Sequence, residues 1–385
     1  MEESNETKET KKTRAKPKMR IPEWVGVLVG LILIYAIFAI VCHKTGKPQF
    51  TSVDNMINVA RQISMITIVA IGMTFVIISG GIDLSVGAVA AFSGVIAAQT
   101  LLATGGNTFL AVLMGLIAGA AVGVFNGFIV ANFKVPPFIV TLATMIGFRG
   151  LAFIRCGGRP VPIEGIFLKI GEGEIFNIPI PVIIMLVVIA AGWFFANHTK
   201  WGRYVYALGG NEEASRLSGI NVKFMKFLVF GMGGLLAALA GIINSARLGS
   251  GDPKEGNMWE LDAIAAAVVG GTSLSGGRGM IIGTVIGAII IGVIKNGLDI
   301  LGVESYTQML IKGSVILAAV LIDQIRKDEN VRDYSIKCIP WVLGIIAGLI
   351  AKRFIPMSWG WIIVILIIAA IGVGGHFVMK SFKKK

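Results

Sequence analysis

Residues 109–131 read FLAVLMGLIAGAAVGVFNGFIVA. The run carries no charge, and at about 1.5 Å per residue a helix of this length crosses the roughly 30 Å hydrocarbon core of a bilayer. Within it Gly115, Gly119, Gly123 and Gly127 recur every four residues. That spacing removes the side chains from one helix face, so a neighbouring backbone packs close against it. Helices associate in this way where lipid supplies no hydrophobic drive. The stretch reads as a transmembrane helix with a packing face turned to other helices of the same chain.

Similar apolar runs flank it on both sides, near 24–42, 61–79, 86–104, 136–154, 180–197, 225–245, 262–274, 275–295 and 304–322. With 109–131 they make ten expected spans. The run at 262–274 is short and begins at Asp262, which reads as a half-helix or the start of a longer tilted span. On one of the last spans Gly279, Gly283 and Gly287 repeat the four-residue stripe. Beyond a charged stretch at 323–337 come two further apolar segments, 338–351 and 357–379, before a basic end. The first of these reaches only about 21 Å as a helix, so the pair reads as a hairpin, with an interfacial helix plus one span as the alternative.

Composition agrees with this reading. Of 385 residues 55% are hydrophobic and 15% charged, and the mean hydropathy is +0.80. Soluble proteins average about 25% charged residues, so a soluble enzyme is excluded. The fold class expected is an all-α polytopic membrane protein: a cytoplasmic basic tail (1–23), a transmembrane core (24–322), a charged cytoplasmic linker (323–337) and an accessory hydrophobic extension (338–385). The formal charge of +13 reflects orientation signals rather than a nucleic-acid partner. With the N-terminus inside, the inside loops hold 18 basic residues and the outside loops 7, which puts both ends of the core in the cytoplasm by the positive-inside bias.

Catalytic sets are absent from the sequence. Cys42, Cys156 and Cys338 lack metal or disulfide spacing, and His43, His198 and His376 fall at span ends. The single Gly-Lys pair, Gly46-Lys47, is followed by Pro48, so there is no Walker A motif. No catalytic residue, metal site or cofactor of the chain's own is expected. Arg61, Asp83, Arg149, Asp262, Lys295 and Lys312 sit close to apolar runs. Most lie near enough to a boundary to snorkel, and a proton or sodium relay would place charges deeper. Asp83 and Ser85, after Gly80 and Gly81, suit the capping of the next helix.

Two stretches stand out. GGIDLSVG at 80–87 and GGTSLSGG at 270–277 agree at five of eight positions; Gly80, Gly81, Asp83, Ser85, Gly87, Gly270, Gly271 and Ser275 are the pore candidates. Duplicated halves with broken helices are common in transporters, but an inverted repeat needs these elements on opposite sides while the span count puts both inside. The loop 198–224 contains GGNEEASRLSGI at 209–220. Asn211 suits an N-cap, Glu212 and Glu213 a helix N-terminus, and Gly219 the stop. A short capped helix of Gly209, Gly210, Asn211, Glu212, Glu213, Ala214, Arg216 and Gly219 is well built to dock on something, or is a solvated connector.

At these residues the chain resembles the permease subunits of ribose, xylose and galactose-type ABC importers. The resemblance rests on GMTFVIISGGIDLSVG (72–87), Asn126-Gly127, VPPFIVTL (135–142), ALGGN (207–211) running to Gly219-Ile220, and VGGTSLSGG (269–277), all in the family's order. It covers about residues 20–327. It implies a ten-span subunit forming a homodimeric pore, with two ATPase subunits on the cytoplasmic face supplying ATP and Mg, and an external sugar-binding protein. It also implies that 209–220 touches the ATPase. The chain departs from the pattern after Lys327, adding about 58 residues. A monosaccharide import permease in a prokaryotic cytoplasmic membrane, ribose first, is the leading reading; a secondary transporter or channel is the alternative, and a membrane enzyme ranks third.

Overall fold

The computed structural model describes residues 23–325. The basic tail before Glu23, nearly all of the charged linker, the extension, Cys338 and His376 lie outside the described residues. The chain runs through α1 (Glu23–Lys44), a 3-10 turn at Pro48–Thr51, α2 (Val53–Ile78), α3 (Val86–Ala103), α4 (Thr108–Phe133) and α5 (Pro137–Cys156). A folded loop follows, with β1 (Val161–Pro162), a 3-10 turn at Gly165–Leu168, the single turn α6 (Lys169–Glu172), β2 (Glu174–Ile175) and β3 (Ile178–Pro179). Then come α7 (Ile180–His198), α8 (Lys200–Gly210), α9 (Glu212–Leu217), α10 (Val222–Leu248), β4 (Ser250–Gly251), α11 (Trp259–Val269), α12 (Ile281–Leu301) and α13 (Ser305–Ile325).

Among the described residues eight helices are long and apolar enough to cross a membrane: α1 to α5, α7, α10 and α12. The two remaining expected spans are α11 and α13. α11 has 11 residues, about 16 Å, and is the half-helix alternative rather than a long tilted span. The expected span at 275–295 starts only at Ile281, because Gly276 and Gly277 take left-handed backbone (φ +81° and +72°) and turn the chain first. α2 starts at Val53, eight residues before the expected 61, because Ser52 caps it by accepting from the Asn55 amide (3.3 Å).

The centre of the bundle is the glycine seam of α4. A side-chain carbon at Gly119 would lie 2.8 Å from Gly234 O, one at Gly127 2.9 Å from Phe227 Cα, and one at Gly115 2.8 Å from Ile242 of α10. Gly123 faces the Phe230 carbonyl at closer range still. α4 therefore lies antiparallel on α10, backbone against backbone, and the stripe is packing within the chain. Gly283 and Gly287 do the same for α12 on α11, at Gly270 and Ala266. Gly279 precedes α12 and meets Ile78 and Thr272 side chains instead. It belongs to a turn, not to the helical stripe expected of it.

The bundle has two dissimilar ends. At the far end, β1 pairs antiparallel with β4 (Val161↔Gly251), Asn55 and Asn296 exchange amide hydrogen bonds at 2.9 Å, Lys47 Nζ donates to Ile300 O at 2.6 Å, and Arg61 pairs with Glu174. At the turn end lie the α2–α3 and α11–α12 connections together with α8 and α9. After α10 the chain dips from the far end into the bundle before α11 begins: Gly251 sits against Gly94 and Ala98 of α3, and Gly256 against Gly87.

Candidate functional site

Two turns and one helix end, each holding adjacent glycines, meet at the turn end. α2 stops with Gly80 N donating to Ile77 O and Gly81 N to Val76 O, both at 2.9 Å; α11 stops in the same way, with Gly271 N to Val268 O and Thr272 N to Ala267 O, also at 2.9 Å. Gly80 (φ +85°) and Gly271 (φ +93°) occupy the left-handed position that glycine favours after a helix. The structural equivalence thus sets Gly80 on Gly271, one residue away from the sequence match of Gly80 with Gly270. Both turns lie at the same end and touch, through Gly277 N donating to Ile78 O at 2.8 Å. The likeness is one of local turn form and not of inverted halves.

The helix end belongs to a helix missing from the sequence reading. Gly209 and Gly210 end α8, which Thr199 caps by accepting from Gly202 N (3.0 Å). A side chain at Gly209 would strike Ile78 O and lie 2.6 Å from Gly277 N; one at Gly276 would lie 2.8 Å from Gly209 O and 3.1 Å from Gly80 Cα. Tyr206 adds a hydrogen bond from its hydroxyl to Gly279 O (3.0 Å). α8 is thereby set backbone to backbone on both turns. The signal was present in the sequence as Trp201, Val205 and Leu208, an apolar i, i+4, i+7 set whose last two members are buried.

α9 follows at once and stands outside the bundle. Asn211 caps it through Oδ1 accepting from Ala214 N (2.9 Å), and Gly219 takes φ +82° after its end. Glu212 pairs with Lys226 of α10 at 2.7 Å, and Glu213 with Arg216 at 2.5 Å. The hydrogen bond to Glu213 raises the Arg216 pKa above its ordinary value. Of the six residues only Ser215 is buried, and Leu217 is 79% exposed. A capped, ion-paired helix with its apolar tip in the open can receive a partner and pass displacement through α8 to both turns.

Behind the α2–α3 turn lies a buried polar network. Asp83, 1% exposed, accepts from the Ser85 amide (2.8 Å) and hydroxyl (2.6 Å). Asn126 of α4 donates to Ser85 Oγ (2.9 Å), and Thr141 of α5 to Ile82 O (3.2 Å). The amide that Asp83 satisfies belongs to Ser85, the residue before α3, so the carboxylate stabilises the turn rather than capping the helix itself. Among the described residues no cation pairs with it. Ser85 and Gly87 are buried as well, Gly270 packs on Gly283, and of the expected pore set Ser275 is exposed, with its hydroxyl 3.0 Å from that of Ser273.

Two charges expected to snorkel are held inside instead. Arg149 donates to Pro253 O (2.8 Å) and to Glu255 O, and Lys312 of α13 pairs with Asp262 of α11 at 2.7 Å. Their partners come from distant parts of the chain, which a span-by-span reading does not see.

The family described as branched-chain amino acid transport system / permease component matches residues 55–320. The ribose import permease protein of Escherichia coli strain K12 is 47% identical over 305 residues, 78% of this chain and 94% of that protein. That of Bacillus subtilis strain 168 is 45% identical over 303 residues, 78% and 92%. The D-allose transport system permease protein of Escherichia coli strain K12 is 39% identical over 298 residues, 77% and 91%. No solved structure matches the chain.

Proposed function

The chain belongs to this family of transport-system permease components, and from that premise we propose that it is the membrane-spanning subunit of an ABC importer that brings ribose into the cell. It is a multi-pass membrane protein and a transporter subunit. The observation that carries the sugar class is the 47% identity to a ribose import permease over nearly that protein's whole length. The family description names branched-chain amino acids, but the more closely matching relatives are named for ribose, allose and xylose.

ATP and Mg are bound by a separate ATPase subunit, which seats on α9. The turn end faces the cytoplasm, in line with the 18-to-7 distribution of basic residues, and an extracytoplasmic sugar-binding protein delivers solute at the far end. Two copies of the chain form the pore. Closure of the ATPase pair moves α9 and α8, and the two touching turns carry that movement to α2, α3, α11 and α12, exchanging inward for outward access. The extension after residue 330 is accessory, and truncation there leaves uptake measurable.

The test is uptake of labelled ribose into vesicles holding the permease, the ATPase and the binding protein, with allose, xylose and leucine as competitors. Ribose uptake that requires ATP and the binding protein is expected. Uptake without ATP would favour a secondary transporter, and competition by leucine alone would favour an amino-acid importer. Sidedness is read from single cysteines at exposed positions: Phe176→Cys, 95% exposed, labels in intact cells with an impermeant maleimide, and Ser218→Cys does not. Labelling of Ser218→Cys alone would invert the orientation.

A further inference from the structure

The segment between α10 and α11 is unusual for its depth. From Gly251 to Gly256 it moves down α3 from Gly94 to Gly87, seven residues or about 10 Å toward the turn end. Its backbone is not helical over this descent, since α11 starts only at Trp259. Backbone of that kind is tolerated at membrane depth where it is buried in protein or lines a water-filled cavity. Gly251, Pro253 and Gly256 are buried, but Lys254 and Asn257 are exposed and Glu255 and Glu260 are partly so.

The segment is clamped from behind. Arg149 reaches it seven residues in from the end of α5, about 10 Å, and holds the carbonyls of Pro253 and Glu255. Asn244 of α10 donates to Glu255 Oε2 at 2.7 Å. With Glu255 engaged, Asn257 and Glu260 are left with no side-chain hydrogen bond to another residue among the described residues. Gly147 and Gly150, flanking Arg149 along α5, face open space. Glu260 lies with Oε2 against Gly87 of α3 and keeps part of its carboxylate uncovered, and Asn257 is exposed; lipid tails offer neither of them a partner, which points to a water-filled path between the two copies of the chain.

We propose that this surface lines the translocation path and is a subsite for a neutral polyhydroxy solute. The Glu260 carboxylate accepts from sugar hydroxyls, the Asn257 amide both donates and accepts, and Arg149 is a positioning residue that fixes the loop presenting them. The solute class rests on the importer reading above; the existence of a water-accessible surface does not.

The experiment uses the full chain with cysteines 42, 156 and 338 replaced by serine, assembled with its ATPase and binding protein in vesicles. Asn257→Cys is treated from either side with a cationic methanethiosulfonate, with and without nucleotide. Reaction in at least one nucleotide state, slowed at least threefold by ribose-loaded binding protein, is expected. No reaction in any state while Phe176→Cys reacts would overturn the path. Glu260→Gln is expected to lower ribose uptake about tenfold, as for loss of one charge-assisted hydrogen bond, with ATP hydrolysis unchanged; a parallel fall of both would make Glu260 structural and overturn the subsite. Reactive Asn257→Cys in a complex whose wild type takes up no ribose would leave the path standing and remove the sugar reading.

Discussion

α2 and α5 are about equally apolar, yet 83% of the apolar stretch of α2 is buried within the chain and only 22% of that of α5. Hydropathy therefore marks which segments cross and says nothing about which of them form the centre. In lipid the centre is marked by small and polar residues: Gly72 of α2 meets Gly233 of α10 with 3.1 Å of room for a side-chain carbon, whereas Gly147 and Gly150 of α5 meet nothing within 4 Å. A glycine at a seam and a glycine on an open face look alike in sequence and serve different ends.

The largest effect that sharpens this contrast is expected for Gly123→Leu. Overpacking costs about 1–3 kcal/mol where neighbours can yield, and here the obstacle is the Phe230 and Gly231 backbone, so the variant should fail to give a monodisperse peak in detergent. A wild-type melting profile would break the assignment of the α4–α10 seam. Next comes the exposed α9. Arg216→Pro, within the helix, should cost about 3 kcal/mol locally and abolish co-purification of the ATPase subunit without altering the melting of the bundle. Ala214→Pro is milder, about 1 kcal/mol, because that amide serves the Asn211 cap rather than the helical ladder.

Asp83→Ala is expected to cost about 1–3 kcal/mol by stranding the Ser85 amide and hydroxyl in a buried turn, with Asp83→Asn recovering part of it; thermal unfolding in detergent reads both. Gly147→Leu should change stability by no more than about 0.5 kcal/mol, and destabilisation as great as at Gly123 would show that the α5 face is covered. The smallest effect belongs to Glu213→Lys, which loses the Arg216 pair on an exposed helix. Binding of the ATPase should weaken a few-fold at low salt and converge with wild type at high salt.

Much of this was legible because it is local. The Asn211 cap, the Gly219 stop and the α4 stripe are written within a dozen residues each, and the structure has them as read. α8 escaped because Lys200, Arg203 and its glycines gave the segment the look of a connector. The re-entrant segment escaped for a deeper reason: its path is fixed by Gly87, Gly94 and Arg149, residues about a hundred or more positions away. The offset of the repeat shows a similar limit, since only the backbone hydrogen bonds reveal that Ser79 and Gly270, not Gly80 and Gly270, hold equivalent places.

The half-helix has a consequence for how the protein is made. A segment of 11 residues ending at Val269 is too short for the insertion machinery to accept as a span on its own. It is held in place by α12 and α2, on which it packs, and it joins the far end of α10 to the turn end of α12. During synthesis α11 therefore enters late, carried by the insertion of α12, and Asp262 waits uncompensated until α13 emerges with Lys312. The Asp262–Lys312 pair closes only when α11, α12 and α13 are all in the membrane, so the last third of the bundle is completed together.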